Sequence, residues 1–134
     1  MAKGGGGSGR GGGGGAGAKS PDAVAKRLEA LGGKRWTKGG KDRVYFDAEE
    51  IASAAGLRYS TYNSGNISSA TYGGSAISNS VAKRILGGMP QSVWFDLGER
   101  VFYRRGDPTG DARGVYSSWL AKAKRAAGIA VASK

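Results

Sequence analysis

The residues with the most legible chemistry are cations interleaved with rings. Lys34, Arg35, Trp36, Lys38, Lys41, Arg43 and Tyr45 fall within one short stretch. Lysine and arginine neutralise phosphates and release counterions, and an aromatic ring stacks a nucleobase at roughly 1–3 kcal/mol. Two more basic groups follow, Arg104-Arg105 and the trio Lys122, Lys124 and Arg125. Together with Trp36, these cations are the candidate nucleic-acid-binding residues. Two plainer readings stand beside this one. Charges at a helix end such as Lys122, Lys124 and Arg125 complement the helix dipole. Trp36 has a later counterpart in Trp94, and a ring repeated in two copies reads most simply as a core anchor.

Other chemistry is removed by what the chain lacks. It has no cysteine and no histidine. Disulfides, thiol catalysis, histidine bases and thiolate or imidazole metal sites are therefore excluded. Carboxylates and lysines remain as general bases, but Asp47 and Glu50 are spaced as a helix capping box. Asp107 and Asp111 sit in GDPTGD, whose dipeptides favour turns over a magnesium site. No Gly-x-Ser-x-Gly elbow is present. The expectation is a protein without catalytic residues, cofactor or metal.

Charge is unevenly spread along the 134 residues. The net charge is +11, from 21 basic and 10 acidic residues. All the acids lie at or before Glu50 or at or after Asp96, and residues 51–95 carry only Arg58, Lys83 and Arg84. That middle is rich in Ser, Thr, Asn and Tyr. Tyr59, Tyr62, Asn63, Asn66 and Tyr72 are the candidate contacts for a protein partner, since tyrosine beside small polar residues makes an adaptable binding surface. Pairing of hairpin edges into a homodimer is a related expectation.

The elements that position these groups follow from punctuation and periodicity. Ser20-Pro21-Asp22 reads as a helix start, with Val24, Leu28 and Leu31 on one face and Gly32-Gly33 as its end. A hairpin follows, turning at Gly39-Gly40. A second helix starts at Asp47 and ends at Gly56, with strand-like segments after it and a break at Gly73-Gly74. A third starts at Ser78 or Asn79. Val81-Ala82-Lys83-Arg84-Ile85 echoes Val24-Ala25-Lys26-Arg27-Leu28, and Glu99-Arg100-Val101-Phe102-Tyr103 echoes Asp42-Arg43-Val44-Tyr45-Phe46. The spacing predicts an internal repeat of residues 20–46 and 79–104. The fold expected is a small single α+β domain of about three helix–β-hairpin (αββ) units plus a C-terminal helix from about Val115 to Ala127. The loop GDPTGDARG precedes that helix, and residues 128–134 are expected to fray.

Residues 1–19 hold eleven of the 26 glycines, three cations and no acid. A disordered, basic, glycine-rich tail is expected there. No apolar run long enough to cross a membrane or act as a secretory leader is present. The repeated hairpin and the phrases YNSGNISSA and ISNS, within residues 34–104, resemble small proteins carried by bacteria and their mobile elements. That resemblance transfers no functional residue. The expected function is a non-enzymatic, basic nucleic-acid-binding accessory protein that contacts mainly the phosphate backbone, of DNA or RNA, in the cytoplasm or within a nucleoprotein or virion assembly. The alternative is a protein–protein interaction module, an assembly or virion subunit or a small inhibitor of a nucleic-acid machine, using the polar middle hairpin.

Overall fold

The structure, a computed structural model, describes residues 20–130. The expected glycine-rich tail of residues 1–19 and the last residues, 131–134, lie outside the described residues. Four helices and seven strands alternate as α1 (Pro21–Glu29), β1 (Lys34–Lys38), β2 (Lys41–Phe46), α2 (Ala48–Ala55), β3 (Leu57–Thr61), β4 (Ile67–Tyr72), β5 (Ser75–Ile77), α3 (Asn79–Gly87), β6 (Ser92–Asp96), β7 (Val101–Arg105) and α4 (Ala112–Ala127). The described residues thus form an α+β domain of three units, each a helix followed by a hairpin that the middle unit extends with β5, closed by a C-terminal helix.

Local chemistry accounts for these boundaries. The Ser20 hydroxyl accepts the Ala23 amide at 3.1 Å, and Pro21 opens α1. Asp47 and Glu50 form the reciprocal capping box at the start of α2. The Ser78 hydroxyl accepts the Val81 amide and starts α3. Gly39-Gly40 and Gly73-Gly74 all have positive φ, the geometry of tight two-residue hairpin turns. The second pair does not merely break a strand. It reverses the chain into β5, a strand absent from the sequence reading, because two successive glycines meet the turn's demand at no steric cost.

The strands form two antiparallel sheets. Sheet A has the order β1-β2-β6-β7 and sheet B the order β3-β4-β5. The first and third units therefore share one sheet, joined by β2 and β6, while the middle unit makes its own. Their letter match does not carry through to register. Val44 and Phe46 of β2 point inward and are buried, but the matched Val101 and Tyr103 of β7 point outward. The β1–β2 turn holds two residues and the β6–β7 turn four, and Glu99-Arg100 fall inside the latter, so the matched letters stand one residue out of step with the strand pleat and their side chains change face.

The core lies between sheet A and the helices. Val44, Phe46, Val93 and Phe95 are buried on the inner face, with Phe102 packed beside them. Trp119 of α4 is fully buried and meets the Phe46 ring at 4.9 Å, Phe102 at 5.8 Å and Tyr116 at 5.7 Å. Helix α4 also packs on α1, α2 and α3. It begins at Ala112, three residues before the sequence reading placed it, with Thr109 accepting the Ala112 amide. At its other end Gly128 is left-handed, and the Ile129 amide bonds Lys124 O at 3.1 Å while its side chain packs on the core. Order thus continues past Ala127 through a glycine-capped helix end.

Candidate nucleic-acid interface

Alternation sends every second side chain of sheet A outward, and the register says which. Lys34 pairs with Tyr45, Trp36 with Arg43, and Lys38 with Lys41. Arg43 pairs with Asp96 and Tyr45 with Trp94. Trp94 then pairs with Tyr103, and Ser92 with Arg105. The other face packs on Trp119 of α4. The outer face of sheet A therefore carries Lys34, Trp36, Lys38, Lys41, Arg43, Tyr45, Trp94, Tyr103 and Arg105, with the acids Asp96 on β6 and Glu99 beside Tyr103.

Four of these rings form an unbroken row across the four strands. Trp36 meets Tyr45 edge-on at 6.1 Å, Tyr45 meets Trp94 at 5.6 Å, and Trp94 stacks on Tyr103 at 5.7 Å. Trp36 and Tyr103, on the two edge strands, are each 41% exposed. Trp36 is therefore not the core anchor its repetition suggested. Alternation turns it to solvent, and Trp119 fills the core instead. The Arg43 guanidinium lies 5.3 Å from the Trp94 ring centroid and donates to the Tyr45 hydroxyl at 2.7 Å. Arg43 Nε is 3.9 Å from Asp96 Oδ2, too far to be a hydrogen bond, and both Arg43 Nε and Trp94 Nε1 are buried donors without an acceptor among the described residues.

The cations on this face divide by partner. Lys34 Nζ bonds Glu50 at 2.7 Å, which raises its pKa, so its charge is shared with α2. Lys38, Lys41 and Arg105 have no ion pair among the described residues. They flank the ring row at opposite corners, Lys38 and Lys41 at the β1–β2 turn and Arg105 at the end of β7. Tyr103 donates its hydroxyl hydrogen to Glu99, and that bond raises the tyrosine's pKa.

The remaining predicted cations lie elsewhere. Arg35 points to the inner face, where it grips Asp42 through two bonds of 2.8 and 2.9 Å and Asp22 through a third of 2.7 Å. Those bonds hold the guanidinium firmly charged and keep the Asp42 carboxyl below its usual range. Arg35 is thus a structural clasp between α1 and the first hairpin, removed from the outer face by parity. Arg104 also points inward, over the Tyr116 ring at 5.4 Å and bonded to Asp107 at 3.0 Å. Lys122 Nζ caps the C-terminal end of α2 by donating to Ala54 O at 2.8 Å. Lys124 borders a groove between β7 and α4, and Arg125 is exposed in the last turn of α4. The candidate cations therefore divide among the face of sheet A, the β7 groove and separate helix positions.

The predicted partner-binding residues are gathered only in part: Tyr59 and Tyr72 have the same parity on sheet B, and Asn66 borders the cavity of Tyr59. Tyr72 packs against the core and Tyr62 is 62% exposed in the β3–β4 turn with Asn63 and Asn66. Tyr59 points to the helix side of sheet B and lines a cavity of about 570 Å³ with Glu49, Asn66, Asn79 and Lys83. Burial, then Glu49, raises its pKa. Asp107 is paired with Arg104 and Asp111 with Arg84 at 2.8 Å, and no cluster of three metal-ligating side chains occurs among the described residues. Among those residues no helix is long and apolar enough to cross a membrane.

Sequence reasoning passed over Trp94 and Tyr103 as site residues. The signal for them is period-two alternation in each strand, which becomes usable only once the pairing of β2 with β6 is known. No protein-family model, curated protein or solved structure matches the chain.

Proposed function

We propose that this protein binds nucleic acid without turnover, through the outer face of sheet A. The observation that carries the reading is the register of β1, β2, β6 and β7. It gathers the unpaired cations Lys38, Lys41 and Arg105 around one row of four rings. Cations that have no carboxylate to pair with are free to neutralise phosphates, and each phosphate contact adds about one to the salt dependence. The net charge of +11 raises the encounter rate with a polyanion over the whole molecule. A face of this kind suits an accessory subunit of a nucleoprotein assembly.

The test is anisotropy of a labelled oligonucleotide across a range of salt, with Lys38→Gln, Lys41→Gln and Arg105→Gln combined. The expected result is binding that persists at physiological salt and a log–log salt slope smaller by about three in the triple variant. An unchanged slope, with the variant folded, contradicts the assignment of this face.

A further inference from the structure

We propose that the ligand of this face is a single strand of nucleic acid, with unpaired bases stacked on the Trp36–Tyr103 row and the backbone leaving past β7 into a basic groove. The proposal rests on the nucleic-acid reading above and names its substrate class.

Three observations favour a single strand over a duplex. First, the exposed rings lie at the two edges of the sheet, Trp36 on β1 and Tyr103 on β7. In a duplex the faces of the bases are hidden in the stack, so an exposed ring can stack only on a base that is unpaired or splayed out. Second, four strands spaced about 4.8 Å apart make a platform about 14 Å across, wider than the roughly 12 Å major groove that admits a helix or a two-stranded ribbon. Helix α4 packs its Trp119 on the inner-face rings Phe46 and Phe102, so the surface on offer is the flat sheet itself and not a protruding helix. Third, the middle of the row holds two buried donors without acceptors, Arg43 Nε and Trp94 Nε1. A phosphate oxygen or a base carbonyl seated there supplies what the protein does not. Arg43 then carries two roles, covering Trp94 in the free protein and meeting the strand when it binds.

The path continues at β7. Tyr103, the last ring of the row, is also a wall of a groove of about 350 Å³ between β7 and α4, with Arg100, Arg104 and Lys124 around it. Arg100 donates to the Ala127 and Gly128 carbonyls at 3.4 and 3.3 Å and so fixes the groove's end. Arg104 is held by Asp107, whereas Lys124 has no acidic partner among the described residues. Lys124 is the group left to meet a phosphate as the strand leaves Tyr103.

The experiment titrates the full chain, over a range of salt with affinities compared at equal salt, with an oligothymidylate and an oligouridylate of about twelve nucleotides and with DNA and RNA duplexes of equal length. The expected result is at least one single strand bound about tenfold or more tightly than either duplex. Trp36→Ala and Tyr103→Ala should each weaken that strand by about fivefold or more, with Tyr103→Phe retaining it. Lys124→Gln should lower the salt slope by about one. The thymidylate and uridylate arms distinguish DNA from RNA as the source of the strand. Duplexes bound as tightly as single strands, or ring variants with unchanged affinity, overturn the single-strand proposal while leaving phosphate binding in place. Failure of all four probes overturns the nucleic-acid reading itself. Thermal melts of the variants establish that losses are not unfolding.

Discussion

Sheet A turns lysines, arginines and four connected rings to solvent; sheet B turns Arg58, Ser60, Ser69, Thr71 and Ala76 outward. Sheet A joins two helix–hairpin units, and sheet B is one helix followed by three strands. They differ in what stands behind them. Sheet A is backed by Val44, Phe46, Val93, Phe95 and Phe102 against Trp119, while sheet B offers Leu57, Ala70 and the partly buried Tyr72 and Ile77. Large rings on a sheet surface are held in place only if the strands below them do not slide. Sheet A has the deeper aromatic and aliphatic packing, and its outer rings are spaced by that frame. The comparison teaches that a similar run of helix and strands can end in different surfaces: two units merged into one well-backed sheet carry the cations and rings, and the unit that stands alone carries small polar side chains.

The most disruptive way to break the contrast is to remove its support. Trp119→Ala empties the centre of the core, where two inner-face phenylalanines of sheet A and Tyr116 meet. It should cost about 3–5 kcal/mol in denaturant unfolding. Trp36→Ala should change stability by no more than about 0.5 kcal/mol, because that ring is surface-exposed, while weakening nucleic-acid binding. A reversal of these two effects would exchange the assigned roles of the two tryptophans.

A smaller structural cost is expected at Gly33, where a Cβ would come within 2.5 Å of Val44 Cγ1 and 2.8 Å of the Phe46 ring. Gly33→Ala should destabilise by about 1–3 kcal/mol, measured as a shift in denaturation midpoint. The equivalent test of sheet B's surface is Arg58→Gln. Its guanidinium caps α2 through the Ser53 carbonyl at 2.6 Å, on a strand of sheet B that holds none of the four rings. It should leave the salt slope of binding unchanged, and a slope lowered by one or more would extend the interface to sheet B.

The smallest effect is a pH dependence. Arg35 bonded to Asp42 lowers the carboxyl's pKa below its usual 3.8. A lowered folded pKa means stability that is present above 3.8 and lost as pH falls through the folded value. Asp42→Asn should flatten the acid limb of the stability curve below that pH, while nucleic-acid affinity near neutral pH stays within error. An unchanged acid limb would mean the clasp contributes nothing measurable.

Capping chemistry made much of the fold legible beforehand. Ser20-Pro21-Asp22, the Asp47–Glu50 pair, Ser78 and the double glycines mark three helix starts and the hairpin turns by local rules. Strand β5 and the early start of α4 were not legible, because Gly73-Gly74 and Thr109-Gly110-Asp111 are compatible with loop or with regular structure. The candidate site was only half visible. The cations of the first hairpin lie close in sequence, so composition exposes them, but their faces depend on parity: Arg35 and Arg104 go inward while their neighbours go outward. Trp94 and Tyr103 join Trp36 only through the pairing of β2 with β6, a contact between segments some fifty residues apart that no local pattern encodes.

The indole N–H signals of the three tryptophans provide the most direct measurement of the central claim. Two lie in the ring row on the outer face and one in the core. In an NMR titration with single-stranded oligonucleotide, the Trp36 and Trp94 indole signals should shift in step with binding while that of Trp119 stays in place. Movement of Trp119 with the other two still, or shifts confined to amides of β3, β4 and β5, would contradict the placement of the interface on sheet A.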